Sequence, residues 1–398
     1  MSIKPFLTDA LLAGDGIVRL APCWVPRAFL MPGGRLKLDP RDLYALGAHR
    51  GGIDERWFSS TTKAANGPLT ADDEGLSYIE FRGRKELLKE AIETAGDLFL
   101  GDAVMRKYGG WNLLCKFFDN LGPIPHHLHQ NDEFAARVGQ KGKPEAYYFP
   151  PQYNFKDNNF PYTFMGLNPG TTRDDIRRCL KKWNEGDNEI LYLSRAYKLK
   201  PGTGWQIDAG ILHAPGSLVT YEPQVNSDVF AMYQSLVEGR GVPWDLLVKD
   251  VPPEHHHDLD YLIEMMDWPA NTDPEFAEHR LFHPKAVHAV QGEYVENWVV
   301  YSTPHYSAKE LTVLPGRSST IRDAAAYGLI LTQGYGTIGK HEVETPSLIR
   351  YGQMTQDELF VTADAAAKGV IIENKSKTEN LVMLKHFGPG NPEAPLGR

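Results

Sequence analysis

Histidines in two segments form the most informative chemical pattern of the sequence. His127 and His129 are separated by one residue in LGPIPHHLHQNDEF. Side chains at alternate positions of a strand point to the same face, so these two imidazoles can converge on one point. His213, which follows the Asp-Ala-Gly turn of GWQIDAGILHAPGS, can supply a third nitrogen. Three imidazoles with one carboxylate suit a divalent transition metal and leave positions open for a substrate or water.

Two glutamates downstream of the histidine pair can supply the carboxylate. Glu133 follows His129 in HLHQNDE, and Glu145 closes the short sequence Lys143-Pro144-Glu145. A histidine pair alone is a weak signal, because such pairs also occur on solvated strands. The residues by themselves leave both glutamates open as the oxygen ligand.

Short strands are the elements that must position these residues. Runs rich in Val, Ile, Tyr and Phe recur between glycines and prolines, for example GLSYIEF, EAYYFP, ENWVVYS and AYGLILTQGYG. This pattern predicts a mainly β protein, either a sandwich or a closed barrel. Helical patterns predict exceptions at 85–105, at 172–183 with Thr172 as the N-cap, and in a mixed helical region at 229–282.

Composition excludes several classes of protein. The chain has 398 residues, with 42 Lys and Arg against 51 Asp and Glu, so its net charge is −9. This balance argues against a nucleic-acid partner, which needs a basic face. No apolar run approaches the roughly 18 residues needed to cross a bilayer, so we expect no membrane partner. The length predicts two domains, or one large domain with insertions.

The cysteines indicate the compartment. Cys23, Cys115 and Cys179 are far apart and odd in number. They form neither a disulfide framework nor a CxxC metal site. The expected location is therefore a reducing cytoplasm.

Several separated motifs resemble the type I phosphomannose isomerases of the cupin superfamily. The segment NLLCKFFDNLGPIPHHLHQNDEFAA, followed by GKPEAYYF, is similar to the family's metal-binding region, in which Gln-x-His-Pro precedes Lys-Pro-Glu. YTFMGLNPGTTRDDIRRCL and PGTGWQIDAGILHAPGSLVTYEPQVNSD resemble further family motifs in the same order, and GIDERWFSS resembles an upstream strand. The agreement of several motifs in one order makes this a specific signal for the fold and the metal site.

The resemblance implies a set of four metal ligands, namely His127 in the position of the family's glutamine, His129, Glu145 and His213. It favours Glu145 over Glu133, because Glu145 matches the glutamate of Lys-Pro-Glu. Glu133 keeps some support, since HLHQNDE also fits the short cupin pattern His-x-His-x3-Glu. The expected cofactor is Zn2+ or another divalent transition metal such as Ni, Mn or Fe.

The activity implied by the resemblance is aldose–ketose isomerisation of a sugar or sugar phosphate through an enediol. A basic group must remove and return the proton. The catalytic candidates in the matched motifs are Lys143, Lys116 and Glu222. A lysine buried beside a metal should lose its proton more easily. The alternative is that Lys116 and Lys143 only form structural ion pairs with Glu133 or Glu145.

Two departures from the family pattern leave other functions open. His127 completes a three-histidine, one-glutamate set that is shared by metal cupins of other activities, including oxygenase and lyase types. Met232 stands where the family has an arginine, which makes a non-catalytic sugar-binding cupin a further alternative. The candidate replacements for that positive charge are Arg173, Arg177, Arg178, Arg195 and Lys198.

The resemblance also implies a mainly β fold of two cupin (jelly-roll) barrels with a helical connector. We expect an N-terminal metal-binding domain at 1–235, the connector at 236–283 and a degenerate second barrel at 284–398. The last part has no His-x-His pair, so we expect no second metal site there. A homodimer is expected by analogy with other two-barrel cupins.

Overall fold

Strands predominate in the structure, a computed structural model that describes residues 4–154 and 161–397. The strands within this part pair into antiparallel sheets. The prediction of a mainly β protein is therefore confirmed.

The first half of the chain contributes fourteen of the described strands. They are β1 (Ile17–Leu20), β2 (Cys23–Arg27), β3 (Gly52–Phe58), β4 (Tyr78–Phe81), β5 (Arg84–Leu87), β6 (Leu113–Phe118), β7 (His127–Leu128), β8 (Glu145–Tyr148), β9 (Tyr162–Leu167), β10 (Ser194–Lys198), β11 (Gly204–Ile207), β12 (His213–Ala214), β13 (Thr220–Val225) and β14 (Ala231–Met232).

The remaining strands follow from residue 236 onward. They are β15 (Leu236–Val237), β16 (Arg240–Gly241), β17 (Leu281–Phe282), β18 (Lys285–Val290), β19 (Tyr294–Val300), β20 (Ser307–Val313), β21 (Ser318–Ile321), β22 (Tyr327–Gln333), β23 (Tyr335–Ile338), β24 (His341–Glu344), β25 (Glu358–Val361), β26 (Val370–Asn374) and β27 (Leu381–Phe387).

The helices are mostly short. They are α1 (Pro5–Ala13), α2 (Leu88–Leu100), α3 (Asp102–Tyr108), α4 (Asp132–Ala136), α5 (Arg173–Lys181), α6 (Trp244–Val248), α7 (Leu259–Glu264), α8 (Trp268–Asn271), α9 (Phe276–Arg280) and α10 (Ala363–Lys368). Within the described ranges, none of them has the length and apolar character needed to span a membrane.

The helix predicted at 85–105 is wrong at both ends. Residues 84–87 pair with β4 as strand β5, so α2 begins only at Leu88. Gly101, with a φ of 83°, then separates α2 from α3. A residue without Cβ adopts this conformation at little steric cost, which explains the break.

The other two helical predictions are confirmed. At the start of α5, the Thr172 side chain accepts a hydrogen bond from the backbone N–H of Asp175, and the Asp175 carboxylate accepts one from the backbone N–H of Thr172. This reciprocal capping satisfies two backbone donors that the helix leaves free. The region 229–282 contains α6 to α9 together with short strands.

Two sheets position the candidate site. A five-stranded sheet has the order β10-β9-β12-β7-β14, and a seven-stranded sheet has the order β17-β11-β8-β13-β6-β3-β2. The candidate histidines lie on the first sheet, and the candidate lysines and glutamates lie on or next to the second. The site is therefore built between side chains of two separate sheets.

A second pair of sheets contains most of the C-terminal strands. The nine-stranded sheet has the order β18-β19-β20-β27-β22-β25-β1-β4-β5, and a four-stranded sheet has the order β21-β26-β23-β24. Strands β1, β4 and β5 come from the N-terminal part, so the two parts of the chain share a sheet. The expected division into 1–235, 236–283 and 284–398, and the two-barrel arrangement, stay predictions.

Apolar residues of the histidine strands and of α5 share one buried cluster. It includes Leu128 and Met165 of the five-stranded sheet and Ile176 and Leu180 of α5. Each of these side chains is almost fully shielded from solvent. The sheet that carries His127 and His213 thus shares a hydrophobic core with α5.

Candidate metal centre

Three histidines meet because of strand register. His213 on β12 is the direct cross-strand partner of His127 on β7, and Met232 on β14 pairs with His127 from the other side. His129 follows β7 immediately, so its side chain points to the same face as that of His127. Each of the three imidazoles contributes one ring nitrogen to a group in which all three nitrogens lie within 4.8 Å of one another. All three side chains are buried.

Backbone carbonyls fix the orientation of each imidazole. The Nδ1 atom of His127 lies 2.7 Å from the Pro125 oxygen, that of His129 lies 2.7 Å from the Val229 oxygen, and that of His213 lies 2.8 Å from the Ile211 oxygen. A carbonyl accepts only from N–H, so Nδ1 carries the proton and Nε2 keeps its lone pair, which in His129 accepts a hydrogen bond of 3.0 Å from the Lys143 ammonium. This is the arrangement by which proteins orient histidine ligands toward a metal.

Glu145 completes the cluster from the opposite sheet. Its Oε2 atom lies 2.9 Å from His129 Nε2, and its Oε1 atom lies 3.1 Å from His213 Nε2. The hydroxyl of Tyr147 donates a hydrogen bond of 2.6 Å to Oε1. Glu145 is only 1% exposed, so this carboxylate is held in a nearly dry environment.

Glu133 lies elsewhere. It is on the exposed side of α4, where its carboxylate accepts a hydrogen bond from Arg137 one turn later. Of the two glutamates that the sequence left open, the structure places Glu145 at the histidines. The alternative pairing of Lys116 or Lys143 with Glu133 is wrong for the same reason.

Burial shifts the ionisation of the cluster toward the forms that bind cations. Burial lowers the pKa of His129 to about 4, although Glu145 opposes the shift, and burial followed by the charge of His213 lowers the pKa of His127 well below its ordinary value. Burial would raise the pKa of Glu145, but the positive charges of His129 and Lys143 bring it well below its usual range. At neutral pH His127 and His129 are therefore neutral and Glu145 is ionised, which are the forms that ligate metals.

The donor set fits a divalent transition metal. Glu145 Oε2 lies 2.9 Å from both His129 Nε2 and the Lys143 ammonium, and His213 Nε2 lies 3.1 Å from Glu145 Oε1. Within the described chain, none of these contacts gives Glu145 Oε2 or His213 Nε2 a partner of good hydrogen-bond geometry, which buried polar atoms normally have. Imidazole nitrogens with a carboxylate oxygen are the set expected for zinc and related ions.

A row of alternating acidic and basic side chains leads away from the cluster. The Lys143 ammonium lies 2.9 Å from Glu145 Oε2 and 3.8 Å from Glu222 Oε1. Lys116 then lies 3.3 Å from the same oxygen of Glu222. The three predicted catalytic residues, Lys143, Lys116 and Glu222, are thus brought together beside Glu145.

The row continues through three residues that sequence reasoning did not single out. Lys116 lies 3.1 Å from Glu55, and Arg27 lies 3.2 Å from the second oxygen of Glu55. The guanidinium of Arg27 also donates two hydrogen bonds, of 3.0 and 3.1 Å, to the carboxylate of Asp228. Arg27 closes the otherwise apolar run CWVPR, and Glu55 is the middle of three consecutive charges in GIDERWF, the segment that resembles a family strand.

The structure corrects one expectation about these groups. Burial lowers the pKa of Lys116, but the carboxylates of Glu222 and Glu55 raise it by a larger amount. The pKa of Lys116 is therefore above its ordinary value. Lys116 therefore holds its proton firmly, which contradicts the expected easy deprotonation. Burial and the charge of Glu145 raise the pKa of Glu222 to about 8, so this carboxyl group titrates close to neutral pH.

A narrow cavity adjoins the charged row. Its volume is about 40 Å³, and it is lined by the charged residues above and by apolar side chains. The apolar lining residues are Phe29, Leu30, Phe118, Ile124, Phe230 and Met232. Such a volume holds a few water molecules. Phe29 is half-buried and packs on Phe230 with ring centroids 5.7 Å apart, which places this aromatic pair toward solvent.

The positive charges proposed to replace the family arginine are not in this lining. Arg173 pairs with Glu264, Arg177 with Asp174 and Asp260, and Arg178 with Asp175, all on the protein surface. Arg195 donates to the Pro274 and Asn271 backbone oxygens, and Lys198 is exposed. Met232 does line the cavity, and the arginine found there is Arg27.

Comparisons with known proteins agree with the fold. No family model matches the chain, and no curated protein matches it by sequence. Solved structures match over nearly its whole length. A protein from Archaeoglobus fulgidus, provisionally assigned as a mannosephosphate isomerase, aligns with a TM-score of 0.63 at 15% identity, covering 94% of this chain and 98% of that one.

Two further structures match equally well. The mannose 6-phosphate isomerase of Bacillus subtilis has a TM-score of 0.61 at 16% identity, covering 93% of this chain and 99% of its own. A zinc-bound mannose 6-phosphate isomerase has a TM-score of 0.61 at 14% identity, covering 94% of this chain and 100% of its own. The chain therefore has the fold of the type I mannose-6-phosphate isomerases, as the sequence motifs predicted.

Proposed function

We propose that this protein is a metal-dependent aldose–ketose isomerase that acts on a sugar or sugar phosphate. The observation that carries the proposal is the juxtaposition of the histidine–glutamate cluster with Glu222, whose pKa is raised to about 8. The fold supports it, because solved structures of this fold include zinc-bound mannose 6-phosphate isomerase. Fold alone does not decide activity, so the site has to be tested directly.

The proposed metal ligands are His127, His129, His213 and Glu145. Zn2+ is the expected ion, with Ni, Mn or Fe as other candidates. When bound, such an ion would supply positive charge to stabilise the negative charge that develops on the substrate oxygens.

Three neighbouring residues have proposed roles in the chemistry. A group with a pKa near the working pH can take and return a proton efficiently, so we assign the transfer between the two carbons to Glu222. Lys143, between Glu145 and Glu222, would donate a hydrogen bond to a substrate oxygen. Lys116 keeps its proton and orients the Glu222 carboxyl group.

The charge of the lining favours an uncharged part of the substrate in the cavity. Its bases are Arg27, Lys116 and Lys143, and its acids are Glu55, Glu145, Glu222 and Asp228. Each base already contacts a carboxylate. A phosphate group, if the substrate has one, would therefore lie outside this cavity. The narrow volume further requires the Phe29–Phe230 pair to move when a sugar enters.

The wider architecture is proposed on the same basis. The four large sheets would form two cupin barrels, with the metal site in the N-terminal one and the helices of 236–283 as the connector. A cytoplasmic location and a homodimer belong to the same proposal, by analogy with the family.

The metal site is tested by elemental analysis of the purified protein and of His129→Ala. We expect about one equivalent of Zn2+ or a similar ion in the wild type, and its loss in the variant, because one of four ligands is removed. His126→Ala is the matched control, since His126 is equally buried but its ring lies outside the cluster. Equal metal content in wild type and His129→Ala would contradict the assignment.

The reaction is tested with a panel of free and phosphorylated aldoses. The wild type is expected to interconvert at least one aldose with its ketose, and Glu222→Gln to lose about 10²-fold or more in kcat while still binding metal. If no aldose isomerises in the presence of any divalent metal, the isomerase proposal is contradicted.

Another metal cupin activity is a second candidate, because three imidazoles and one carboxylate also bind Fe(II). Oxygen consumption after reconstitution with Fe(II) would favour an oxygenase. Stabilisation by sugars without turnover would favour a non-catalytic sugar-binding protein.

A further inference from the structure

A second cavity lies in the C-terminal part of the chain. It has a volume of about 340 Å³ and sits between β18, β19 and β20 of the nine-stranded sheet and β21 of the four-stranded sheet. The side chains that line it are those of Val287, Tyr294, Glu296, Lys309, Thr320, Ile321, Arg322 and Glu393. Its size falls within the range of about 300–1,000 Å³ that is typical of small-molecule sites.

Lys309, which lines the cavity, belongs to a buried ion cluster with a second lysine that lies outside the lining. Lys309 on β20 and Lys385 on β27 are direct cross-strand partners, and their side chains are 1% and 0% exposed. Asp323 bridges them, with one oxygen 2.7 Å from each ammonium group. Glu296 also pairs with Lys385 and lies 3.7 Å from Lys309.

Packing alone does not account for these charges. Like charges directly opposite on neighbouring strands destabilise a sheet, and a buried ion cluster is often less stable than apolar residues of the same volume. In addition, the hydroxyl of Tyr327 on β22 is fully buried and makes no hydrogen bond within the described chain. Its ring lies 5.1 Å from the Lys385 ammonium, so Tyr327 adjoins the ion cluster, although it is not part of the cavity lining.

The charges of the cavity wall are balanced. Two acids, Glu296 and Glu393, and two bases, Lys309 and Arg322, line it. Glu393 belongs to the C-terminal tail, and its carboxylate, which is 40% exposed, accepts a hydrogen bond of 3.1 Å from Lys309. A ligand with a net charge would disturb this balance next to the buried Lys309 and Glu296.

Hydroxyl groups are suited to bind against a cavity wall in which acidic and basic groups balance. A hydroxyl both donates and accepts, so it can bind between a carboxylate and an ammonium group without adding charge. The Tyr294 side chain, which is mostly buried, adds an apolar surface against which a ring of carbon atoms can pack.

We propose that this cavity is a second binding site, separate from the metal centre, for a neutral polyhydroxylated small molecule such as a monosaccharide or cyclic polyol. Lys309, Glu296 and Glu393 would contact its hydroxyl groups, and the C-terminal tail around Glu393 would cover it. The site does not depend on the proposed isomerase function.

Isothermal titration calorimetry tests the proposal, with the full chain carrying His129→Ala so that the metal centre does not contribute. The probes are neutral monosaccharides and myo-inositol, with inorganic phosphate and citrate as anionic comparisons. We expect saturable binding of at least one neutral probe and none of the anions. Thr320→Trp, at an exposed lining position, should abolish this binding by filling the cavity and should leave the metal content and any isomerase activity of the otherwise wild-type chain unchanged.

The variant Glu393→Gln distinguishes a site for a neutral ligand from a site for an anion. Removing the charge of this partly exposed carboxylate should weaken the binding of a neutral ligand by about tenfold, because charged hydrogen bonds to the ligand's hydroxyl groups are lost. An anion site would instead bind more tightly in this variant. Tighter anion binding, the absence of binding by every neutral probe, or binding unchanged by Thr320→Trp would each overturn the proposal.

Discussion

At the scale of single residues, the candidate site depends on the pairing of buried charges. Arg27 and Asp228 are 4% and 9% exposed at their side chains, and they form a two-bonded contact at the end of the charged row. Removing one partner of such a pair leaves the other charge buried without compensation. Arg27 also lines the cavity beside Met232, the position at which the sequence motifs predict the loss of an arginine, so it supplies positive charge there from a different strand.

The first prediction concerns this pair. Arg27→Met should lower the free energy of unfolding by about 3 kcal/mol, measured by urea denaturation, because Asp228 loses its guanidinium partner. Arg27→Met combined with Asp228→Asn should recover part of that loss, which a double-mutant cycle measures as a coupling energy. Arg173→Met, which breaks an exposed ion pair with Glu264, should have little effect. A double variant as unstable as the sum of the two single variants would show that the pair is not coupled.

At the scale of elements, the histidine strands are short and share a hydrophobic core with helix α5. Strands β7, β12 and β14 have only two residues each, so their few ladder hydrogen bonds hold them weakly. Ile176 and Leu180 of α5 belong to the same buried cluster as Leu128 of β7. Loss of α5 would therefore expose part of the core that these strands share with it.

The second prediction concerns the N-terminal cap of α5. Thr172→Ala should destabilise the protein by about 1 kcal/mol, because the backbone N–H of Asp175 loses its side-chain acceptor. Thermal unfolding monitored by circular dichroism measures the change. Thr172→Ser keeps the hydroxyl and serves as the control, so equal destabilisation by serine and alanine would contradict the capping role.

At the scale of the whole molecule, a buried ion cluster joins the two pairs of sheets. Arg56 on β3 of the seven-stranded sheet donates two hydrogen bonds of 2.8 Å to Asp357. It also lies 3.3 Å from Glu358 on β25 of the nine-stranded sheet. The backbone N–H of Ser59 donates to the other oxygen of Glu358 at 3.1 Å. The two halves of the fold are thus linked by charge as well as by shared strands.

The third prediction is a pH dependence that follows from this link. Burial raises the pKa of Glu358 from 4.5 to about 8, although Arg56 opposes the shift. The folded protein therefore binds a proton more tightly than the unfolded chain does. Between roughly pH 5 and 8, stability should fall as pH rises, by at most about 1.4 kcal/mol per pH unit from this group.

Glu358→Gln isolates that contribution. The amide cannot ionise and can still accept from Ser59, so the variant should lose less stability than the wild type between these pH values. The measurement is the difference between the melting temperatures of the two proteins at several pH values in this window. A difference that does not change with pH would show that Glu358 does not titrate in this window.

The sequence by itself determined the local features of this protein. Alternating apolar runs indicated strands, and the Thr172 motif indicated a helix start, because both depend on neighbouring residues. The spacing of His127 and His129 placed two imidazoles on one face, and the ordered motifs pointed to Glu145, His213 and the fold.

Only the tertiary structure decided which distant groups meet. The row from Glu145 to Asp228 joins side chains from several strands, so no spacing in the sequence reveals Arg27 or Glu55 as its members. The same holds for ionisation. Lys116 was expected to lose its proton easily, but its pKa depends on Glu222 and Glu55, which only the sheet brings beside it. Electrostatic effects act through space over a few ångströms, and the folded chain alone sets those distances.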